Sequence, residues 1–236
     1  MQLAIGQVQL DARQSRHLRD VLRIGVGEAV ELFDDAGRRA QARVLSTADV
    51  VVLKVEAVQE ARSPAIELVM AAAVPKGPRA DWMVEKLSEL GVACYIPLET
   101  DRGIVHPEAG KLQRWGRIAE ESAKQCKRNG VMRIEAPMTL QAVCAASQWA
   151  KSARWCMTTG ERSLPIAELL PQLGGTGTLL ALIGPEGGWT EGESELMQDA
   201  HFQLVGLTRT ILRIETAALA LAAVVMTKGR SAGATD

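Results

Sequence analysis

A glycine-rich loop that directly follows an apolar run is the segment of this chain best suited to bind a ligand. The run, residues 179–183, is typical of a buried strand. The loop after it reads Gly184-Pro185-Glu186-Gly187-Gly188. Glycine permits backbone conformations that a side chain forbids, and it lets a ligand approach the backbone closely. Because open α/β sheets bind ligands beyond the carboxyl ends of their strands, the loop predicts a ligand site.

The residues around this loop leave three interpretations open. A structural turn needs no ligand, although three glycines within five residues exceed what a turn requires. A phosphate cradle lacks the Gly-x-x-x-x-Gly-Lys-Ser/Thr pattern, and no lysine or arginine follows before Arg209. The next segment is acidic instead, with Glu191, Glu193, Glu195 and Asp199. A ligand without net negative charge, such as S-adenosylmethionine with its sulfonium, is compatible with these surroundings.

A second segment, residues 211–217, places two charged side chains at the start of an apolar helix. It reads Ile-Leu-Arg-Ile-Glu-Thr-Ala. Arg213 is a candidate for stabilising negative charge that develops on a substrate, or for contacting a phosphate. Glu215 is a candidate for orienting Arg213 or accepting a proton. A carboxylate near a helix N-terminus is also stabilised by the helix dipole, so a purely structural role for Glu215 stays equally open.

Basic residues concentrate in two parts of a nearly neutral chain. The net charge is −1 and the pI is about 6.3, which argues against a protein coated in positive charge. A helix predicted over residues 111–129 has an apolar face formed by Leu112, Trp115, Ile118, Ala119, Ser122 and Cys126. Its opposite face carries Arg114, Arg117, Lys124 and Arg128, and a second group near the N-terminus consists of Arg13, Arg16, His17, Arg19 and Arg23. Either group alone is compatible with a solvated surface, whereas two together favour contact with RNA or DNA phosphates.

The first 62 residues have a pattern of short strands. Apolar or alternating runs occupy residues 29–33, 40–45 and 50–55, and Asp34-Asp35-Ala36-Gly37 is a turn signal between the first two. Several short strands at this spacing predict a small β-barrel. Arg-Ser-Pro at residues 62–64 is the predicted linker.

From residue 66 onward, predicted strands alternate with helices, which indicates an α/β fold with a mostly parallel sheet. The predicted strands are residues 66–71, 95–98, 154–158, 179–183 and 202–207. The predicted helices are residues 81–90, 111–129, 191–200 and 216–227, with Gly91 capping the first. The last helix is apolar nearly all round, so we expect it to be buried on several sides. Residues 229–236 are expected to be a disordered tail.

Composition excludes several other classes of protein. Hydrophobic residues make up 47% of the 236-residue chain, but none of its apolar runs reaches the roughly 18 residues of a membrane span. The N-terminus lacks the pattern of a secretory signal, so a cytosolic protein is expected. The four cysteines and three histidines are widely spaced, and we predict neither a disulfide framework nor a metal site.

The two chemical segments together resemble those of the ribosomal RNA small-subunit methyltransferase E family, part of the SPOUT superfamily. Residues 74–77 (Val-Pro-Lys-Gly), 85–92 and 123–128 are similar to the family's central motifs, and His17, residues 21–23 and residues 32–34 to its N-terminal domain. The resemblance runs through nearly the whole chain. It implies a SPOUT-type trefoil-knotted, mostly parallel sheet with helices on both faces over residues 63–236. A small PUA-like, RNA-binding β-barrel domain over residues 1–62 would precede it.

The resemblance also implies an activity: S-adenosylmethionine-dependent methylation of N3 of a specific uridine in small-subunit (16S) ribosomal RNA, by a homodimer acting on RNA within the small ribosomal subunit. The implied cofactor-binding residues are Thr159, Gly160, Leu182, Gly184, Glu186, Gly187, Gly188, Leu207, Ile211, Leu212, Thr216 and Ala217. The implied RNA-binding residues are Arg13, Arg16, His17, Arg23, Lys76, Arg114, Arg117, Lys124 and Arg128. Arg213 and Glu215 are the implied catalytic residues.

The chain departs from the family pattern in two places. Family members usually carry Leu-Gly before the second motif, with an arginine three residues before the motif's own; this chain has Leu207-Thr208 and Thr210, with Arg209 shifted by one. Lys124 stands where a glutamate is common. Two other functions remain open: a noncatalytic RNA-binding protein on the same fold, and a methyltransferase that modifies another RNA position or a transfer RNA. A nucleotide hydrolase is disfavoured by the missing lysine and the acidic flank.

Overall fold

A computed structural model describes residues 3–34, 38–59, 66–128, 130–160, 162–174 and 177–231. The chain forms two compact units, Met1–Ser63 and Pro64–Asp236. Several sequence predictions fall outside the described residues: the centre of the turn at 35–37, the linker at 62–64, Asn129 at the predicted helix end, and the last five residues of the tail.

The N-terminal unit is built on an antiparallel sheet of four strands. Its elements are β1 (Gly6–Gln9), α1 (Ala12–Arg16), a π-helical turn (His17–Val21), β2 (Ala29–Phe33), β3 (Arg39–Ser46) and β4 (Val52–Gln59). The strand order is β1-β4-β3-β2. Alternate residues of β3, Ala40, Ala42 and Val44, are buried against Leu53 and Val55 of β4. The three predicted strands are confirmed, whereas β1 and α1 were not predicted.

A buried carboxylate ties the start of this unit's chain to the segment between β2 and β3. Asp34 accepts hydrogen bonds from the backbone N–H of Leu3 at 3.0 Å and of Arg38 at 2.9 Å, and pairs with the Arg38 guanidinium at 2.7 Å. Burial by itself raises the pKa of Asp34. The two amides and the guanidinium outweigh burial and hold this pKa below its usual range.

The C-terminal unit is a parallel sheet covered by helices. Its strands are β5 (Ile66–Ala72), β6 (Cys94–Glu99), β7 (Arg133–Ile134), β8 (Met138–Thr139), β9 (Ala153–Met157), β10 (Leu164–Pro165), β11 (Gly177–Ile183) and β12 (Gln203–Gly206). Its helices are α2 (Pro78–Leu90), α3 (Ala109–Gln125), α4 (Leu140–Ala145), α5 (Ile166–Leu169), α6 (Glu191–Asp199) and α7 (Ile214–Ser231). The order is β10-β12-β9-β11-β5-β6-β7, with β8 beside β6. The described pairings are parallel, which confirms the predicted sheet.

Both faces of this sheet are buried, because alternate residues of its central strands enter two separate cores. Leu68 and Met70 of β5 belong to one core, which α2, α3 and α7 cover. Val69 and Ala71 belong to the other, which α4 and α6 cover. This two-sided burial explains why the central strands read as continuous apolar runs. The predicted placement of helices on both faces is confirmed.

Several helix boundaries differ from the predictions. α2 begins at Pro78 rather than Asp81, because proline is favoured in the first turn of a helix and Gly77 adopts a positive φ of 64° before it. Gly91, with φ 97°, caps the other end as predicted. α7 begins at Ile214, two residues early, and runs to Ser231, into the predicted tail.

α3 ends at Gln125 rather than Asn129, so the prediction that Cys126 and Arg128 lie on its faces is wrong. Cys126 is the exposed C-cap, and Lys127 adopts a positive φ of 54° that ends the helix. Trp115, Ala119 and Ser122 are buried as predicted.

Within the described residues, no helix combines the length and apolar character needed to cross a bilayer. In the same part of the chain, no three His, Cys, Asp or Glu side chains converge on a position where they could hold a metal ion.

Candidate active site

A cavity of about 320 Å³ opens at the carboxyl ends of β9 and β11. The glycine-rich loop after β11, the segment after β12 and the start of α7 complete its wall. Nine of the residues predicted to bind a cofactor line it: Thr159, Gly184, Glu186, Gly187, Gly188, Leu207, Ile211, Leu212 and Ala217. The structure therefore brings together the two segments that the sequence analysis singled out.

Three predicted cofactor residues are not part of this wall. Leu182 points into the core beneath α4 and α6, because side chains alternate along β11 and its neighbour Ile183 faces the cavity. Thr216 is exposed on α7. Gly160 lies in the turn after Thr159, where its N–H donates to the Thr158 hydroxyl at 3.3 Å.

Eight further lining residues were not named individually as cofactor-binding residues: Met157, Thr158, Ile183, Pro185, Trp189, Thr208, Thr210 and Ile214. Met157 and Ile183 are the last residues of parallel neighbours β9 and β11, and they lie opposite each other. Strand register would have identified both, but register is not readable from one strand alone.

The glycine-rich loop depends on glycine for two different reasons. A Cβ on Gly184 would lie 2.7 Å from Cε2 of Trp189, so a side chain there displaces the indole. Gly188 adopts a positive φ of 71°, which other residues rarely do, and its N–H donates to the Pro185 carbonyl at 2.9 Å. Arg102 holds the loop from outside, because its Nη1 donates to the Gly187 carbonyl at 2.8 Å.

Glu193, in the acidic segment after the loop, has a structural role. Glu193 is buried and forms a capping box with Thr190 at the start of α6. Its Oε2 accepts from the Thr190 N–H at 2.8 Å, and its Oε1 accepts from the Asp101 N–H at 3.0 Å. Glu186 is the carboxylate that lines the cavity, so the electrostatic character of the site depends on the loop itself.

Thr208 and Thr210, where the chain departs from the family pattern, both line the cavity. The Thr208 hydroxyl donates to the Thr210 carbonyl at 2.8 Å, and the two hydroxyl oxygens lie 3.2 Å apart. At Thr208, where family members carry glycine, the side chain thus forms a local hydrogen bond that closes a turn from Thr208 to Thr210.

Of the roles left open for Glu215, the structure does not support orientation of Arg213, because the Glu215 carboxylate pairs with Arg79. Glu215 is buried, and its Oε1 accepts from Nη1 of Arg79 at 3.1 Å. The same Arg79 nitrogen lies 3.5 Å from Oε1 of Glu186. Arg79 therefore links the glycine-rich loop to the start of α7, a role that sequence reasoning missed because these residues are far apart in the chain. Arg213 is exposed and lines a second cavity, next to the first.

Of the five basic residues of the C-terminal unit that were predicted to contact RNA, four are exposed and one is half-buried. Lys76, Arg114, Arg117 and Lys124 are exposed, although Arg114 pairs with Asp81 and Lys124 with Glu120, each at 2.8 Å. Arg128 differs, since its Nη1 donates to the Ser88 carbonyl at 3.0 Å and burial lowers the pKa of its guanidinium. Because Arg128 ties the segment after α3 to α2 and is half-buried, we assign it a structural role in place of the predicted RNA contact.

In the N-terminal unit, Arg13, Arg16, His17 and Arg23 are exposed along α1 and the π-helical turn. Arg23 adopts a positive φ of 53° just beyond Leu22, the C-cap of that turn. Arg19 differs from its neighbours, because it pairs with Asp20 at 2.8 Å and donates to the Ala48 carbonyl at 3.2 Å. The predicted basic stretch is thus mostly exposed surface.

Two family models match the chain. One, described as an RNA methyltransferase domain, matches residues 61–226, and the other, described as an RNA methyltransferase PUA domain, matches residues 10–55. Ribosomal RNA small subunit methyltransferase E from Synechocystis sp. is 30% identical over 92% of this chain and 71% of the relative. The protein of the same name from Bacillus subtilis is 30% identical over 89% of this chain and 86% of the relative.

Solved structures agree with these relatives. A ribosomal RNA small subunit methyltransferase E from Neisseria gonorrhoeae, bound to S-adenosyl methionine, superposes with a TM-score of 0.83 at 29% identity, over 96% of this chain and 94% of that one. A probable rRNA-methyltransferase from Porphyromonas gingivalis gives a TM-score of 0.80 at 26% identity, over 94% of each chain. With an RNA methyltransferase domain over most of its length and such relatives along nearly all of it, this chain belongs to the ribosomal RNA small subunit methyltransferase E family.

Proposed function

We propose that this protein methylates N3 of a specific uridine in 16S ribosomal RNA, with S-adenosylmethionine as the methyl donor. The observation that carries the proposal is the cavity formed by the glycine-rich loop and the 207–217 segment. The Neisseria gonorrhoeae relative, with the same fold, was crystallised with S-adenosyl methionine. The names of the relatives supply the class of RNA, and the family resemblance supplies the uracil N3.

The side chains that line the cavity suit this cofactor. Met157, Ile183 and Leu212 are apolar, and Thr158 and Thr208 are polar without charge. In the described part of the chain, its lining includes the Glu186 carboxylate and neither lysine nor arginine. This lining therefore offers a polyphosphate no cation of its own, whereas it offers a sulfonium the Glu186 carboxylate, which also lies 3.5 Å from Nη1 of Arg79. The glycines leave backbone N–H and C=O groups open to the polar ends of the ligand.

When bound, the cofactor supplies a methyl carbon that its sulfonium makes electrophilic. Uridine N3 gives its proton to solvent water and forms the new N–C bond while the C–S bond breaks, with that electron pair remaining on sulfur. The protein contributes orientation of the base and stabilisation of the uracil anion. Arg213 is our candidate for that stabilising charge. Because duplex or stacked bases are out of reach, the target base must be unstacked first.

Exposed basic residues would hold the surrounding RNA through its phosphates. These are Arg13, Arg16, His17 and Arg23 in the N-terminal unit, and Lys76, Arg114, Arg117 and Lys124 in the C-terminal unit. Family membership also supports a homodimer, a trefoil knot in the C-terminal unit, a substrate within the small ribosomal subunit and a cytoplasmic location, all as parts of this proposal.

The test uses purified protein, isotopically labelled S-adenosylmethionine, and small subunits from a strain that lacks this protein. Nucleoside mass spectrometry should find the label in 3-methyluridine. Label in another nucleoside or only in transfer RNA would contradict the proposal. Calorimetry that shows no S-adenosylmethionine binding at millimolar concentration would instead favour a noncatalytic RNA-binding protein.

A variant tests the role of Arg213. Arg213→Ala should lose methylation and keep the wild-type affinity for S-adenosylmethionine, because Arg213 lies outside the wall of the cofactor cavity. Lys151→Ala is the control, since Lys151 is exposed at the opposite end of β9. Full activity in Arg213→Ala would rule out the assigned role.

A further inference from the structure

A second cavity, of about 420 Å³, adjoins the proposed cofactor cavity. The two share Glu186, Ile211 and Leu212, so a ligand in one would reach the edge of the other. Among the described residues, the remaining lining of the second cavity consists of two arginines, Arg79 and Arg213. Among the described residues, the lining of the cofactor cavity includes neither lysine nor arginine, whereas its neighbour has two guanidinium groups beside the shared Glu186 carboxylate.

Arg79 is fixed in place by carboxylates while its guanidinium stays accessible. Nη1 lies 3.1 Å from Glu215 Oε1 and 3.5 Å from Glu186 Oε1, and a third of the side chain (33%) remains exposed. A guanidinium has five N–H donors in a rigid fork. Among the described residues, the side-chain contacts of Arg79 use Nη1, which leaves Nε and Nη2 available to a ligand.

Glu215 is poorly placed to take a proton from a substrate. Its side chain is 7% exposed, and its second oxygen, Oε2, is buried without a hydrogen-bond partner among the described residues. A general base must come within hydrogen-bond reach of the proton that it removes. The contact that Glu215 does make is with Arg79, so its carboxylate orients that guanidinium.

We propose that the second cavity receives the target uracil, and that Arg79, together with Arg213, donates hydrogen bonds to the uracil anion. This proposal rests on the proposed function. When N3 loses its proton to water, the negative charge spreads over O2, N3 and O4. A preorganised guanidinium at these oxygens stabilises the anion without reorganisation during the reaction. Ile211, 87% exposed, offers an apolar surface against the face of the base.

The same arrangement accounts for a choice of uracil over cytosine. Cytosine carries an amino donor where uracil has O4, and its N3 has no proton to lose. A guanidinium donor facing that amino group leaves both donors unpaired, which is costly in a partly desolvated site. In this proposal, selectivity for uracil follows because the guanidinium groups of Arg79 and Arg213 face the two acceptor oxygens O2 and O4.

The experiment compares Arg79→Gln and Arg79→Lys with wild type and with the Lys151→Ala control. Calorimetry measures S-adenosylmethionine affinity, and kinetics on small subunits give kcat and KM. Arg79→Gln should lower kcat by about 100-fold to 1000-fold, the usual effect of removing one donor to a developing anion, with cofactor affinity within about threefold of wild type. Arg79→Lys should recover part of the loss, because lysine keeps the charge but not the fork.

A second substrate separates a chemical from a structural role. Small subunits reconstituted with RNA that carries 5-fluorouridine have a more acidic N3, because fluorine withdraws electrons. The anion then needs less stabilisation, so the kcat defect of Arg79→Gln should shrink on this RNA. An equal defect on both RNAs, or wild-type kcat in Arg79→Gln, would overturn the proposal.

Two further outcomes stay distinguishable. The Arg79→Gln variant could fail to fold because it leaves the buried Glu215 carboxylate unpaired. The Arg79→Gln/Glu215→Gln double variant removes both charges, so it should fold and still have a low kcat. A near wild-type kcat in the double variant would overturn the proposal. A wild-type protein that forms no 3-methyluridine defeats the proposed function itself, before any variant is compared.

Discussion

Gly184→Ala tests whether the cofactor cavity depends on the close approach of the loop to Trp189. The new Cβ would lie 2.7 Å from Cε2 and 2.9 Å from Cζ2 of the indole. Carbon atoms in contact are about 3.5–4.0 Å apart, so the indole must shift by roughly 1 Å. Trp189 packs against the core beneath α6, which limits such a shift. Overpacking of this kind costs about 1–3 kcal/mol.

Because Trp189 lines the cavity, we expect this cost to appear in cofactor binding. A loss of about 1–3 kcal/mol corresponds to roughly 5-fold to 150-fold weaker binding, since about 1.4 kcal/mol is tenfold in Kd. Calorimetry with S-adenosylmethionine measures the affinity, and thermal unfolding follows stability. Gly192→Ala is the matched control, because a Cβ there meets open space in α6 and should leave affinity unchanged.

A double-mutant cycle identifies the cause of any loss. Trp189→Leu removes the indole atoms that the new Cβ would meet. Gly184→Ala should therefore weaken binding much less in the Trp189→Leu background than in wild type. Equal losses in both backgrounds, or unchanged affinity in Gly184→Ala, would refute the argument from close approach.

Three further predictions concern parts of the fold outside the cavity. The pKa of Asp34 is held below its usual range, so the ionised carboxylate stabilises the fold at neutral pH, and this stabilisation is lost as pH falls through the folded pKa. Denaturant titrations between about pH 5 and pH 2 should therefore show a smaller loss of stability for Asp34→Asn than for wild type. Glu193→Ala removes a buried helix cap and should lower stability by about 1–3 kcal/mol, measured by urea unfolding; an unchanged midpoint would contradict the capping role. Arg117→Ala should weaken RNA binding and reduce the salt dependence of binding by about one phosphate contact, because Arg117 is exposed. Arg128→Ala should lower the melting temperature and leave the salt dependence unchanged, because Arg128 bonds the Ser88 carbonyl. The reverse pattern would contradict the RNA-binding role of Arg117 and the structural role of Arg128.

The strands and the ligand loop were readable from the sequence because their signals are local. The apolar run at 179–183 and the glycines after it predicted β11 and a ligand site at its end, and the structure has β11 there with a cavity at its carboxyl end. Pro78 is also a local signal for the start of a helix, but the sequence prediction started α2 at Asp81. The end of α3 was not predictable from periodicity, since Lys127 leaves the helix through a positive φ that lysine rarely adopts.

The alternation of strands with helices, the glycine-rich loop and the charged start of α7 were determined by sequence alone, because each depends on residues within a few positions of one another. Only the tertiary structure decided which side chains meet. Arg79 and Glu215 are 136 residues apart, and no local pattern links them. Likewise, strand register put Ile183 rather than Leu182 into the cavity wall. Contacts of this kind follow from how the sheet orders its strands, which depends on packing across the whole unit rather than on any one segment.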